Sequence, residues 1–338
     1  MTTSRELVES ALNLEEVDRI PFCPPFQGYW ALDIAGVSVI DSIKNPKIAA
    51  GAQFGVIDKC GMDAVETMWD WLLPVEAMGC EVKIPEHGTI PTVTHIIDSP
   101  ADLDKLKSPE IKGFYRFISA KDTSDHMAQK VGKDHFLMTT FLSPFTFAGE
   151  LRGVEQMMMD CITEEDFVHG LIKESLNINN AFMEEIVRWE TDAVIICDPT
   201  ASGDLISPDD YAKFAMRPMK SQGDTVRKGG KIQINHICGD TSDRIDIVAS
   251  TGCKAFSVDY QVDIESAVKA MSGRMAIIGN IDPARKLYSG TPDDIVSSTK
   301  ELLKKGGKKG YLFGSGCDIP VGTNIDNVAV ISDVLREF

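Results

Sequence analysis

From about residue 190 onward the chain alternates between short apolar runs and longer stretches whose apolar positions recur every three or four residues. The runs 192–198 (DAVIICD), 231–238 (KIQINHIC), 255–260 (AFSVDY), 275–281 (MAIIGNI) and 311–317 (YLFGSGC) have the length and composition of buried strands. The stretches 207–230, 241–252, 263–273, 291–307 and 325–338 have the helical period. Ser207, Asp209 and Thr291 near helix starts, and Gly252, Gly273 and Gly307 at helix ends, supply what the free backbone groups of helix termini require. In the first half, 19–26 (RIPFCPPF), 63–68 (DAVETM) and 135–142 (HFLMTTFL) predict three more strands. Residues 79–110 interrupt the alternation as an insertion in which VKIP and TIPTVTHI form a hairpin.

Strands alternating with helices predict a parallel sheet covered by helices. Eight such strands predict an α/β fold of the (β/α)8 TIM-barrel type, one domain over 1–338. An open doubly wound sheet is the alternative, but no GxGxxG follows the first strand. In a barrel, functional residues sit at the C-terminal ends of the strands. Here those ends carry Phe26 and Gln27, Glu66, Thr140 and Phe141, Asp198, His236 and Cys238, Asp259, Asn280 and Asp282, and Cys317 and Asp318. Polar and metal-binding side chains gather there while the strand bodies stay apolar.

The net charge of −17 sets this chain against phosphate-backbone binding, so nucleic acid is not an expected partner. No apolar run reaches the length of a membrane span, and the first residues carry acids rather than a targeting core, so neither a membrane nor export is expected and the location is read as cytoplasmic. The 8 cysteines do not form a secreted disulfide pattern in a chain this long. Six of them read as small buried hydrophobes; Cys238 and Cys317 do not.

His236-x-Cys238 spans a strand end, where residues two apart point the same way. Cys317 ends the last strand, between Gly314 and Gly316 on one side and Asp318 on the other. Barrel geometry brings these ends to one mouth. One imidazole and two thiolates favour zinc, and three protein ligands with a fourth exchangeable position is the catalytic pattern. Asp259, at the neighbouring strand end, is a candidate for that fourth position or for a catalytic carboxylate; a capping or solvated role is its alternative. For His236 and Cys238 the alternative is a pair of satisfied core residues. Asp198 and Asn280 are candidates for orienting ligand or water, or for structural hydrogen bonding. Phe26, Gln27, Tyr29, Trp30, Trp69 and Phe141, together with Phe22 and Trp71, are candidates for a substrate pocket, with plain core packing as the alternative for each aromatic ring. His87, His95, His126, His135 and His169 fall outside this pattern and carry no expected chemistry.

Several segments resemble the uroporphyrinogen decarboxylase superfamily, and within it the zinc-dependent methylcobalamin:coenzyme M methyltransferases. They are Val17-Asp18-Arg19-Ile20-Pro21, Val75-Glu76-Ala77-Met78-Gly79-Cys80, Asp192-Ala193 with Asp198-Pro199, Ile206-Ser207-Pro208, His236-Ile237-Cys238-Gly239, Phe256-Ser257-Val258-Asp259, Gly279-Asn280 and Gly316-Cys317. The resemblance implies a (β/α)8 barrel with zinc on His236, Cys238 and Cys317. It also implies a corrinoid, carried by a partner protein, from which a methyl group passes to a small thiol such as coenzyme M. Demethylation of a methoxylated aromatic compound onto the corrinoid is the alternative within the same family, and a zinc-storing or scaffold barrel is the alternative outside it. Two departures matter. The stretch Phe22–Trp30 lacks the arginines with which the decarboxylases grip a tetrapyrrole, so porphyrin decarboxylation is not expected. Asp259 stands where the methyltransferase branch carries glutamate. The sulfonate of coenzyme M has no assigned counter-charge; Arg152 is the candidate by elimination.

Overall fold

Seven parallel strands form one sheet in sequence order: β1 (Ala64–Met68), β2 (Phe136–Leu142), β3 (Ala193–Cys197), β4 (Ile232–Ile237), β5 (Ala255–Val258), β6 (Ala276–Ile281) and β7 (Tyr311–Ser315). Their residues are almost all buried, as expected for a parallel sheet covered on both faces. The coordinates are a computed structural model that describes residues 2–338.

The expected strand over 19–26 is the departure. Pro21, Pro24 and Pro25 have no N–H to give to a ladder, so a regular strand cannot form there. Only one parallel bridge remains, Phe22 with Phe313. The segment nevertheless touches both edges of the sheet. Cys23 N donates to Phe313 O at 2.7 Å and Phe313 N to Pro21 O at 3.0 Å, while Asp63 N and Ala64 N donate to Phe22 O at 2.8 and 3.2 Å. The architecture is therefore a curled seven-stranded parallel sheet rather than eight regular strands.

The helices follow the sequence reading with shorter ends. The stretch 207–230 runs from Pro208 to Lys228 through a π-helical turn at Tyr211–Ala215. The 241–252 stretch keeps only Ile245–Ala249. In the insertion the hairpin reduces to a single antiparallel bridge, Val82 with Thr92. The insertion is tied down by Glu86 O accepting from Val39 N at 2.9 Å and by Leu151 O accepting from Ile96 N and Ile97 N at 3.0 and 3.1 Å. Among the described residues, no helix is long and apolar enough to cross a membrane.

Alternation along the strands sorts the core into two layers. Val65, Leu137, Val194, Ile196, Ile237 and Phe256 face outward and pack with the helices. Ala64, Met138, Ile195, Ile234 and Ala255 face inward, and the helix Ser4–Leu12 packs into their cluster through Leu7, Val8, Ala11 and Leu12. Two residues further along each strand, the same inner parity delivers Glu66, Thr140, Cys197, His236 and Ser257. The inner face thus turns from apolar to polar within one step of the pleat, and that step makes the site.

Candidate metal centre and its cavity

His236 is the last inward residue of β4, and Cys238 follows it by two, so both side chains point to the same side. Cys317 lies just beyond β7. A Cβ on Gly316 would stand 2.5 Å from Tyr260 N, so only glycine lets the chain pass close enough to bring Cys317 in. His236 Nε2 lies 3.2 Å from Cys238 Sγ, and Cys238 Sγ lies 3.5 Å from Cys317 Sγ. The three donor atoms all fall within 4.8 Å of one another. A tetrahedral zinc with ordinary bond lengths needs about 3.6 Å between nitrogen and sulfur and about 3.8 Å between sulfurs, within a few tenths of the two separations at Cys238.

Ser257, which pairs directly with His236 across β4 and β5, holds the other ring nitrogen: Nδ1 and Ser257 Oγ are 3.0 Å apart. With the Nδ1 proton given to Ser257, the Nε2 lone pair faces the two sulfurs, the arrangement expected behind a metal-bound imidazole. The rings of Phe26 and His236 meet in a T-shaped pair, centroids 4.7 Å apart and planes at 80°. Cys317 is held well below the usual thiol range, first by the hydrogen bond from Cys238 and then by His236. The same hydrogen bond, with burial, pushes Cys238 up.

A cavity of about 230 Å³ opens beside these donors. Its wall contains Phe26, Tyr29, Trp69 and Trp71, the carboxylates of Glu66 and Asp318, and Thr89, Thr140, Cys197 and Pro199. Trp69 fits because Gly28 has no side chain: a Cβ there would stand 2.3 Å from the indole Cγ. Glu66 sits where β1 slips register against β2, a local irregularity common beside active sites. Its carboxylate accepts from Thr140 Oγ at 2.5 Å, Gln27 N at 3.2 Å and Gly28 N at 3.1 Å. Burial pushes its pKa up to about 8 against those hydrogen bonds.

Of the pocket candidates, Phe26, Tyr29, Trp69 and Trp71 line this cavity. Phe141 does not: one residue beyond the inward Thr140, it faces the helices and packs on Phe182 at 5.8 Å. Trp30 is fully buried on the outer layer, with Nε1 donating to Thr323 O at 2.8 Å, and Phe22 packs on Phe313. Gln27 serves indirectly, through the N–H it gives to Glu66 and an Nε2 donated to Glu66 O at 3.3 Å. Asp259 lies outside the donor cluster and accepts from Gln261 N at 3.1 Å. Asn280 Nδ2 donates to Asp259 O and Val262 O at 2.8 and 2.7 Å, fixing the turn after β5. Asp198 is fully buried beneath the mouth, accepting from Ser143 and Thr146 hydroxyls, with its pKa pushed by burial up to about 7. Arg152 is spent on Asp160 and on the carbonyls of Ile97 and Asp98, and it does not line the cavity. Ser257, Cys197 and Thr89 were not singled out from sequence. The strand parity that marks His236 also marks Ser257 and Cys197, whereas Thr89 arrives by way of the insertion and has no such marker.

A profile of the family described as uroporphyrinogen decarboxylase (URO-D) matches residues 3–338. The chain belongs to this family. Within it, the chain is 29% identical over 311 residues to methylcobamide:CoM methyltransferase MtbA of Methanosarcina mazei, covering 90% of both chains. It is also 29% identical over 310 residues to uroporphyrinogen decarboxylase of Chlorobium limicola, covering 87% of this chain and 85% of that one. The solved structure of a methyltransferase from Methanosarcina mazei superposes with a TM-score of 0.91 at 24% identity, covering 100% of this chain and 99% of that one, which establishes the fold.

Proposed function

We infer that this URO-D family protein is a methyltransferase that moves a methyl group between a corrinoid on a partner protein and a small thiol, with zinc on His236, Cys238 and Cys317. The observation that carries this reading is the meeting of one imidazole and two thiols beside a small cavity at the C-terminal mouth of the sheet. No arginine or lysine lines the wall to grip the carboxylates of a tetrapyrrole, so decarboxylation of a porphyrinogen has no support from the site. The methyltransferase relatives act on methylcobamide and CoM by name.

A zinc ion held by these three residues would bind the acceptor thiol as its thiolate, the nucleophilic form. The chain does the remaining work. Ser257 fixes the ring of His236, and Phe26 backs it. Cys197, Trp69 and Trp71 give the cavity an apolar part, which strips water from the sulfur and so raises its reactivity. Asn280 holds the turn that carries Asp259, whose carboxylate accepts from Gln261 N and lies outside the donor set. Asp198 stabilises the loop after β3 from below. The corrinoid, on its partner protein, would reach the donors through the mouth of the sheet.

A second reading draws on the four aromatic side chains of the wall. They suit a phenyl methyl ether, whose methyl group would pass to the corrinoid. One assay separates the two: the absorbance change of methylcobalamin or Co(I)-cobalamin, followed in parallel with thiols and with methoxylated aromatics. The thiol reading expects turnover with a thiol, its loss in Cys238→Ala, and loss of bound zinc in the same variant. Equal activity in Cys238→Ala overturns the zinc role, and turnover of an aryl ether alone reverses the choice of substrate.

A further inference from the structure

Beside the donor cluster, the wall of the cavity offers acidic side chains and no lysine or arginine. The two carboxylates are those of Glu66 and Asp318. The buried guanidinium groups near the sheet are committed elsewhere. Arg116 is bound to Asp70 and Glu76, and Arg244 to Asp243 and to the carbonyls of Ala201 and Ile206. A thiol with a sulfonate tail would enter such a site without a partner for its charge, at a large desolvation cost.

The rest of the wall is what a cation needs. Phe26, Tyr29, Trp69 and Trp71 surround a small volume, and a cation seated over an aromatic face is attracted to it. Glu66 is only 1% exposed and takes its hydrogen bonds from three donors: the Thr140 hydroxyl and the N–H groups of Gln27 and Gly28, the cap and first residue of the helix Gly28–Ile34. Three donors suit the anionic form, but with its pKa pushed up to about 8 the buried group is mostly protonated near neutral pH until a cation joins it. What that anion lacks is a counter-charge on the cavity side, and burial without one is what raises its pKa.

We propose that the cavity selects a small thiol bearing an ammonium group, with Glu66, Asp318 and the aromatic wall as the cation site beside the His236–Cys238–Cys317 cluster, and that it discriminates against sulfonated thiols. This deepens the methyl-transfer reading and rests on it. The step balances as follows. The thiol gives up its proton to solvent, its sulfur forms a bond to the methyl group of methyl-Co(III), the cobalt–carbon bond breaks, and its electron pair stays on cobalt as Co(I). The ammonium group takes no part in bond making and serves to orient the sulfur.

Coenzyme M, 2-mercaptoethanol and cysteamine share a two-carbon thiol and differ at the far end, which is negative, neutral and positive. With zinc-loaded enzyme and methylcobalamin, kcat/KM should rise in that order over about a hundredfold, roughly 2.8 kcal/mol of discrimination. Glu66→Gln should lower the cysteamine-to-coenzyme M ratio at least about tenfold. Calorimetry on the metal-free protein should show S-methylcysteamine binding the wild type and binding Glu66→Gln about tenfold more weakly, with S-methyl coenzyme M not binding. Should Glu66→Gln fail to fold, Asp318→Asn takes its place with the same expected direction. Coenzyme M turning over as well as or better than cysteamine, with the ratio unmoved by either variant, overturns the cation site and leaves the methyl-transfer reading standing. No thiol turning over at all overturns the methyl-transfer reading, and the calorimetry then decides the cation site alone.

Discussion

Replacing Ser257 by alanine tests the proposed metal centre without touching a ligand. Ser257 is fully buried and His236 is 2% exposed, and their atoms are 3.0 Å apart. Removing the hydroxyl strands a buried N–H, which costs about 1–3 kcal/mol, and frees the ring to change tautomer or turn. Zinc binding needs the proton on Nδ1 and the lone pair on Nε2, so the loss should appear in metal affinity as about 10–100-fold, the range seen when partners behind metal-bound histidines are removed. The assay is zinc competition against a chromophoric chelator, with thermal unfolding of the metal-free forms as a check on folding. Ser257→Thr keeps an oxygen and should recover most of the affinity. Unchanged zinc affinity in Ser257→Ala, or an equal loss in the alanine and threonine variants, refutes the idea that this hydroxyl sets the ring for metal.

Other consequences follow from the same geometry. Gly28→Ala puts a methyl group 2.3 Å from Trp69, so it should destabilise the fold by about 1–3 kcal/mol and raise KM for the small substrate, read by thermal unfolding and steady-state kinetics. Asp259→Asn should leave zinc stoichiometry near one per chain, because the carboxylate lies outside the donor cluster; loss of zinc on equilibrium dialysis would make it a ligand. Asp198 has a pKa of about 7 in the folded chain, above its ordinary value of 3.8, so the native state holds the proton longer than the unfolded one. Its contribution is fully present below pH 3.8 and is lost as pH rises to about 7. Asp198→Asn, which imitates the protonated acid, should remove that part of the decline in Tm between pH 4 and 7, and an unchanged slope would count against the assignment.

How much of this was legible in the sequence depended on parity and on proline. His236-x-Cys238 keeps its meaning in any strand, because residues two apart share a face, and the two glycines before Cys317 announced a close approach that Gly316 provides. The same rule, applied one residue off, misled at β2: Thr140 and Phe141 both end that strand, but only Thr140 has the inward parity, and the larger side chain belongs to the roomier outer layer. The run 19–26 read as a strand by its apolar content, although its three prolines deny it the N–H groups a ladder needs. Trp30 and Trp69 could not be told apart by spacing, since what separates them is the helix turn of Gly28–Ile34, which sends one ring outward and seats the other against glycine. The place of Thr89 over the mouth depends on how a long insertion is anchored, and no local pattern encodes that.

The three donor side chains come from β4 and β7, which are not neighbours; β5 and β6 lie between them. An ion seated there would act as a cross-brace over two intervening strands, so occupancy and mechanical integrity of the sheet become one quantity. Melting temperature should then climb with free zinc as ligand linkage requires, and a chelator would loosen the far end of the domain as well as silence its chemistry.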